Sequence, residues 1–274
     1  MPTEEVPRQT LAEQYKTPAN LDARIRLHER FSTNRGTNRD GRGWFFEQLE
    51  IPPAAAILEL GCGPGRGWKL NADRVSPGWR VTLTDFSAGM AAAARQSTAG
   101  LNGRFACAVV DAADIPFPSQ SFDAVMANHM LYHLSDAARA RALAAIQRVL
   151  REGGCFYATT NGIGHMRELV ELVNTFDPTI PFLQPIVQNF SLQGGPAQVA
   201  QYLGDVTVRR FPDALIVDDA QALIDYILSS STVFNLPAQR KAALGDFVRA
   251  WLAEHGGVMH IQKDMGLISA RRAS

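Results

Sequence analysis

Residues 56–65 read AILELGCGPG. A short apolar run of the kind that makes a buried strand empties into glycines at 61, 63 and 65, and a helical stretch follows. Glycine at such a turn lets the chain take left-handed angles and lets a ligand approach bare backbone. In an open α/β sheet, a turn of this kind at the carboxyl end of a strand is where nucleotide-sized ligands bind. The spacing narrows the ligand. The dinucleotide fingerprint, G-x-G-x-x-G, aims helix-terminal amides at a pyrophosphate. Here the third glycine comes one residue early, and Pro64 has no N–H to donate. No Gly-Lys-Ser/Thr closes the loop, so the phosphate-binding Walker pattern is absent as well. A purely structural tight turn stays open as an alternative at this point.

The surrounding chain alternates short apolar runs with helical stretches from 55 to 160, the signature of buried parallel strands and their crossovers. Strands are predicted at Ala55–Leu60, Arg80–Thr84, Arg104–Val110, Phe122–Ala127 and Cys155–Thr159. Helices are predicted near 66–75, near 87–96 and over 137–151. The last has Ser135 as its cap, Leu143, Ile146 and Leu150 on one face, and Gly153-Gly154 after its end. Residues 1–50 read as a helical cover with Leu21, Ile25 and His28 at helical spacing. The segment 161–204, broken by Pro178, Pro181 and Pro185, reads as a helical cap insertion. A strand at Val206–Phe211, helices at 219–230 and 238–254, and a last strand, MHIQKDMGLISAR, complete the chain.

Three acids stand at or near strand ends: Glu59 before the glycine loop, Asp85 in VTLTDFSAG and Asp111 in CAVVDAADIPF. Parallel strands gather these ends along one edge of the sheet. A carboxylate after the second strand can accept both hydroxyls of a ribose, and one after the third can accept from an exocyclic amino group. Glu59 would favour an ammonium nearby. The ligand so described has a ribose, an amino-bearing base and a positive charge but no phosphate, which is S-adenosyl-L-methionine. Each acid taken singly also suits a turn or a helix cap.

Composition sets bounds. Lysine plus arginine and aspartate plus glutamate number 27 each, with no basic run beyond a pair such as Arg209-Arg210, so a nucleic-acid partner is not expected. Cys62, Cys107 and Cys155 lack metal-ligand spacing and read as reduced structural thiols. No stretch has the ~20 apolar residues of a membrane span, and the polar start MPTEEVPRQT is no apolar leader, so a cytoplasmic protein without a membrane partner is expected.

The ordered set ILELGCGPG, VTLTDFS, VVDAADIPFPSQSFDAVMANHMLYHL and VLREGGCFYATT resembles the class I S-adenosylmethionine-dependent methyltransferases, in the branch that holds ubiquinone and menaquinone biosynthesis enzymes and natural-product tailoring enzymes. The resemblance covers about residues 50–160. It implies one α/β, Rossmann-like domain: a seven-stranded, mostly parallel sheet with an antiparallel last strand. A helical N-terminal lid (1–50) precedes a core (51–274) that carries the cap insertion (161–204). It further implies that Gly61, Gly63 and Gly65 lie under the methionine moiety, that Asp85 binds the ribose, and that Phe86 packs on the adenine. Asp111 with Ala112 meets the adenine amino group, and Asn128 lines the methionine side facing the acceptor. Tyr15 and Arg24 resemble lid positions of relatives. Asp123 fits the pattern at the opposite end of its strand and reads as structural.

Methyl transfer is an in-line displacement, so it asks mainly for positioning and exclusion of water. For a phenol, an amine or an acidic carbon, a general base adds rate. The loop NHMLYHL offers His133 as base, with Tyr132 orienting it and His129 beside them; His165 and Asn161 are second candidates. Packing without proton transfer is the plainer role for all of them. Aromatic residues at Phe31, Trp44, Phe45, Phe176, Phe182 and Phe190 wall a pocket or fill the core. No carboxylate cluster in the insertion suits magnesium, so no metal is expected. The expected acceptor is a small apolar or aromatic molecule methylated on O, N or C, and the protein a monomer or homodimer. Two rivals remain: a nicotinamide-dependent oxidoreductase, and a protein of this fold that binds the cofactor without transferring methyl.

Overall fold

The computed structural model describes residues 19–34, 41–183, 188–230, 233 and 236–273. Its helices are α1 (Ala19–Phe31), α2 (Gly41–Glu47), α3 (Arg66–Leu70), α4 (Ala88–Ser97), α5 (Asp136–Val149), α6 (Arg167–Phe176), α7 (Gly195–Val199), α8 (Ala220–Leu228) and α9 (Ala238–Glu254). Its strands are β1 (Ala56–Leu60), β2 (Arg80–Asp85), β3 (Arg104–Val109), β4 (Phe122–Asn128), β5 (Leu150–Asn161), β6 (Gly204–Val217) and β7 (Met259–Arg271). They form one seven-stranded sheet in the order β3-β2-β1-β4-β5-β7-β6. β1 to β5 pair in parallel, and β7 runs antiparallel to both β5 and β6.

Every residue of β1 is buried, because parallel strands flank it and helices cover both faces. On one face Leu58, Val125 and Phe156 pack with Leu143 and Ile146 of α5 and Val199 of α7. On the other, Ile57, Leu83, Met126 and Tyr157 meet Phe45 and Phe46 of α2, Trp68 of α3 and Ala94 of α4. The chain order reverses between β1 and β4, which puts the switch-point crevice at their carboxyl ends.

Several boundaries differ from the sequence reading. α5 stops at Val149, not 151, because Leu150 already pairs with Phe122 in β5. Gly153 and Gly154 therefore do not cap the helix. They sit inside β5, where the register slips opposite Asp123, and exchange backbone hydrogen bonds with Arg272. The helix expected over 66–75 breaks at Asn71, whose side chain donates to the Gly67 carbonyl, and resumes as a 3-10 turn at Ala72–Arg74. β6 runs past Phe211 to Val217. It carries Pro212 without losing a ladder bond to β7 because it is an edge strand. Its outer edge is met by the chain after α1, where Thr33 N–H donates to the Ala214 carbonyl and Asn34 to that of Pro212. Tyr15 and Pro185 lie outside the described residues.

The β6–β7 ribbon outruns its neighbours. β5 ends where Asn161 faces Met265, yet β7 begins at Met259 opposite Val217. The overhang carries Leu215, Val217, Met259 and Ile261 into a second core with α1, α6, α8 and α9. That helical layer stands beyond the carboxyl ends of the parallel strands.

Candidate functional site

Gly61, Gly63 and Gly65 all have positive φ, at 63°, 54° and 70°. Their surroundings differ. A Cβ on Gly61 would stand 2.8 Å from Met130 Cβ, and one on Gly65 would stand 2.7 Å from Ser97 Oγ and 3.2 Å from the Ala94 backbone. Neighbouring protein, and not a ligand, excludes side chains there. A Cβ on Gly63 would meet nothing within 4 Å, so of the three only Gly63 opens onto free space. The loop is anchored across the sheet: Asp85, 7% exposed, accepts from the Gly63 N–H at 3.0 Å through Oδ2 and from the Ser87 N–H at 2.9 Å through Oδ1. Burial pushes the Asp85 carboxyl up, and the two N–H bonds pull it back.

Beneath the loop, Glu59 is buried, with both oxygens engaged. Trp68 donates its indole N–H to Oε2 at 2.5 Å, and Asn128 donates its amide to Oε1 at 2.9 Å. Asn128 Oδ1 in turn accepts from Thr159 at 3.1 Å. Burial raises the Glu59 carboxyl above its ordinary range against these bonds. Along the same edge, Asp111 Oδ1 accepts from the Ala113 N–H at 2.9 Å, Ala112 is buried, and Phe86 is 49% exposed. Asp123, at the other end of β4, accepts from the Ala56 N–H and pairs with Arg151.

Residues 57–154 match the sequence family described as "Methyltransferase domain". Over that span the chain is similar to a methyltransferase domain. Its seven-stranded, mostly parallel sheet with an antiparallel last strand has the Rossmann-like fold of its solved neighbours. A stretch of 121 residues is 32% identical to a ubiquinone/menaquinone biosynthesis C-methyltransferase of Xanthomonas oryzae, covering 43% of this chain and 47% of that one. The chain thus matches about half the length of this relative, and a third of a protein from a Streptomyces fradiae transposon. Among solved structures, phosphoethanolamine N-methyltransferase 2 of Haemonchus contortus, in complex with S-adenosyl-L-methionine, superposes with a TM-score of 0.59 at 16% identity. That match covers 97% of this chain and 60% of the other. The YcgJ protein of Bacillus subtilis gives 0.56 at 19% identity over 85% and 98%. Both likenesses are of fold.

In the loop that leaves the sheet after β4, His129 takes a φ of 51° and donates its N–H to the Thr159 carbonyl. The 3-10 turn Leu131–His133 brings the Tyr132 ring to 4.5 Å from that of His133 and 6.4 Å from that of His129, between centroids. Tyr132 is 9% exposed and packs in the core on the α5 side. Burial, with Arg42 and Lys263 nearby, lowers His129 to about 4. It is a neutral imidazole at physiological pH and holds a captured proton weakly.

His165, in the turn before α6, is 8% exposed, and burial with Lys263 and His129 lowers it to about 3. Asn161 is buried, its carbonyl accepting from the Leu192 N–H. Of Arg24 only the backbone, in α1, is described. Phe31, Phe45, Phe182 and Phe190 are core residues, whereas Trp44 meets Phe211 and Phe176 meets Phe247 at the margins of the clusters.

Sequence reasoning missed Trp68 and Thr159 as members of the Glu59–Asn128 chain, and Lys263 and Asp213 as a buried ion pair with 6% and 1% of their side chains exposed. It placed His28 only as a helix-face residue. A histidine at i+3 from the buried Ile25 was the available signal that α1 turns a polar group inward.

Proposed function

We propose that this chain transfers a methyl group from S-adenosyl-L-methionine to a small, predominantly apolar acceptor. The observation that carries the proposal is the open backbone at Gly63, tied directly to the buried carboxylate of Asp85. A carboxylate has about four acceptor positions, and the two N–H bonds leave Asp85 able to take ribose hydroxyls as well. The exposed Phe86 ring offers a face for a base, and Asp111 beside Ala112 an acceptor for its amino group. Glu59 contributes charge: with both oxygens already accepting side-chain N–H groups, it sets the potential under the methionine end, and Asn128 couples it toward the acceptor side. The Haemonchus protein's complex with the same cofactor supports the assignment.

S-adenosyl-L-methionine supplies an electrophilic methyl on a sulfonium centre. The residues of this chain supply position: the glycine loop and Asp85 fix the nucleoside, and the helical layer on the β6–β7 overhang excludes water from the carboxyl edge. His133, its ring tilted against that of Tyr132, is the proposed general base for acceptors that lose a proton. Tyr15 and Arg24 are proposed as lid contacts. The match to a C-methyltransferase of quinone biosynthesis favours an apolar, aromatic acceptor.

The test is turnover. The protein is incubated with S-adenosyl-L-methionine and a panel of phenols, quinols and amines, and S-adenosyl-L-homocysteine is measured. Production that depends on one class of acceptor supports the reading. Absence of product with every class, under saturating cofactor, counts against methyl transfer.

A further inference from the structure

Three imidazoles from separate elements come close enough to influence one another's charge: His28 from α1, His129 from the turn after β4, and His165 from the turn before α6. The His28 and His165 rings lie 6.4 Å apart between centroids, tilted by 32°, and Tyr226 of α8 meets His28 edge-on at 5.7 Å. The Nδ1 atoms of both His28 and His165 are buried and have no hydrogen-bond partner among the described residues. Buried polar nitrogens are almost always paired, so two adjacent unpaired ones ask for a partner that the described residues do not provide. A metal does not fit: among the described residues no three His, Cys, Asp or Glu side chains are placed to hold one.

The charges nearby choose among ligands. Lys263 acts on both rings with positive potential while paired to the buried Asp213, and Arg42, 3.9 Å from Glu29, acts on His28. Burial and those cations keep the imidazoles neutral. A neutral Nδ1 accepts a hydrogen bond from a hydroxyl, and an oxygen that gains negative charge as it reacts is favoured by the same potential. The same potential disfavours an ammonium relative to a neutral hydroxyl.

We infer that His28 and His165 form the acceptor-recognition pair, one Nδ1 accepting from the hydroxyl of a neutral phenol or enol and the other, in its Nδ1–H tautomer, donating to the same oxygen, in preference to an amine. This rests on the methyltransferase reading for the use made of the bound molecule, and on the side-chain geometry alone for the binding. These are positioning residues for the acceptor.

The experiment is calorimetric titration with three probes of similar size: 1-naphthol, 1-methylnaphthalene and 1-naphthylmethylamine. Each is titrated into the free protein and into protein saturated with S-adenosyl-L-homocysteine. The expected result is that 1-naphthol binds at least about tenfold more tightly than either other probe. His28→Leu and His165→Leu bring that ratio toward one, while His165→Asn, which keeps a polar atom near the Nδ1 position, retains most of it. Failure of 1-naphthol to bind, a wild-type ratio near one, or a ratio unchanged in both leucine variants overturns the proposal; the last means that only water meets the two nitrogens. If a leucine variant does not fold by circular dichroism, the wild-type ratio and His165→Asn decide. Loss of S-adenosyl-L-homocysteine binding with the naphthol preference intact removes the methyltransferase reading and leaves the hydroxyl recognition by His28 and His165.

Discussion

Asp85 Oδ2 accepts the Gly63 N–H at 3.0 Å, so the acid at the end of β2 and the turn at the end of β1 form one unit. Its other oxygen takes the Ser87 N–H that begins the approach to α4. Asp85→Asn turns an amide toward one of these two donors and breaks the unit. The expected outcome is an S-adenosyl-L-homocysteine dissociation constant raised by about 10- to 100-fold, measured by titration, since bonds to a charged acceptor are worth about 1.5–3 kcal/mol. The fold remains, by circular dichroism.

The loop glycines separate function from packing. Gly65→Ala presses a Cβ against Ser97 and the Ala94 backbone at a φ of 70°, and is expected to lower stability by about 1–3 kcal/mol. Gly63→Ala meets no atom and carries only the left-handed strain, about 1–2 kcal/mol, yet fills the open cradle. Thermal unfolding is expected to rank Gly65→Ala as the less stable of the two, and cofactor titration to show the larger deficit per unit of lost stability for Gly63→Ala.

The first half of the fold was legible because each strand there is a bounded apolar run and each turn carries its own chemistry. Ser135 caps α5 as the spacing implies, its hydroxyl accepting from the Ala138 N–H, and the last strand matches its predicted span residue for residue. What the sequence could not show is long-range. Gly153-Gly154 has the look of a helix stop, but its conformation answers to Arg272, more than a hundred residues away. The partners of Glu59 are equally remote in kind: Trp68 reads as core, and only the crossing of α3 over β1 aims its N–H at a carboxylate. Asp213 fell past the expected end of its strand at Phe211, and only the extension of β6 to Val217 sets it opposite Lys263.

That pair yields a further expectation. Lys263 and Asp213 are buried together, and Asp213 also accepts from the Ser32 hydroxyl, tying the end of α1 to the ribbon. Removing one partner leaves a buried charge, so Lys263→Met or Asp213→Leu is expected to cost about 3–5 kcal/mol in denaturant unfolding. The double variant is expected to recover much of that loss.

Acid sensitivity follows from the imidazoles. His129 and His165 titrate near pH 6.5 when unfolded but at about 4 and about 3 in the folded chain, and His28 is lowered too. Between those limits the unfolded chain binds more protons, so folding stability is complete above pH 6.5 and falls as the pH drops toward 4. Each such histidine contributes up to about 1.4 kcal/mol per pH unit in that window. Unfolding free energies measured from pH 7 to pH 4.5 are expected to decline less steeply in His165→Gln than in the wild type.

The central claim is that the turn after β1 and the acid after β2 cradle a nucleoside without phosphate. Isothermal titration of the wild-type protein with S-adenosyl-L-homocysteine and, separately, with NAD tests it most directly. The account predicts saturable one-to-one binding of the first and no heat beyond dilution from the second. Tight binding of NAD with no response to S-adenosyl-L-homocysteine would contradict it.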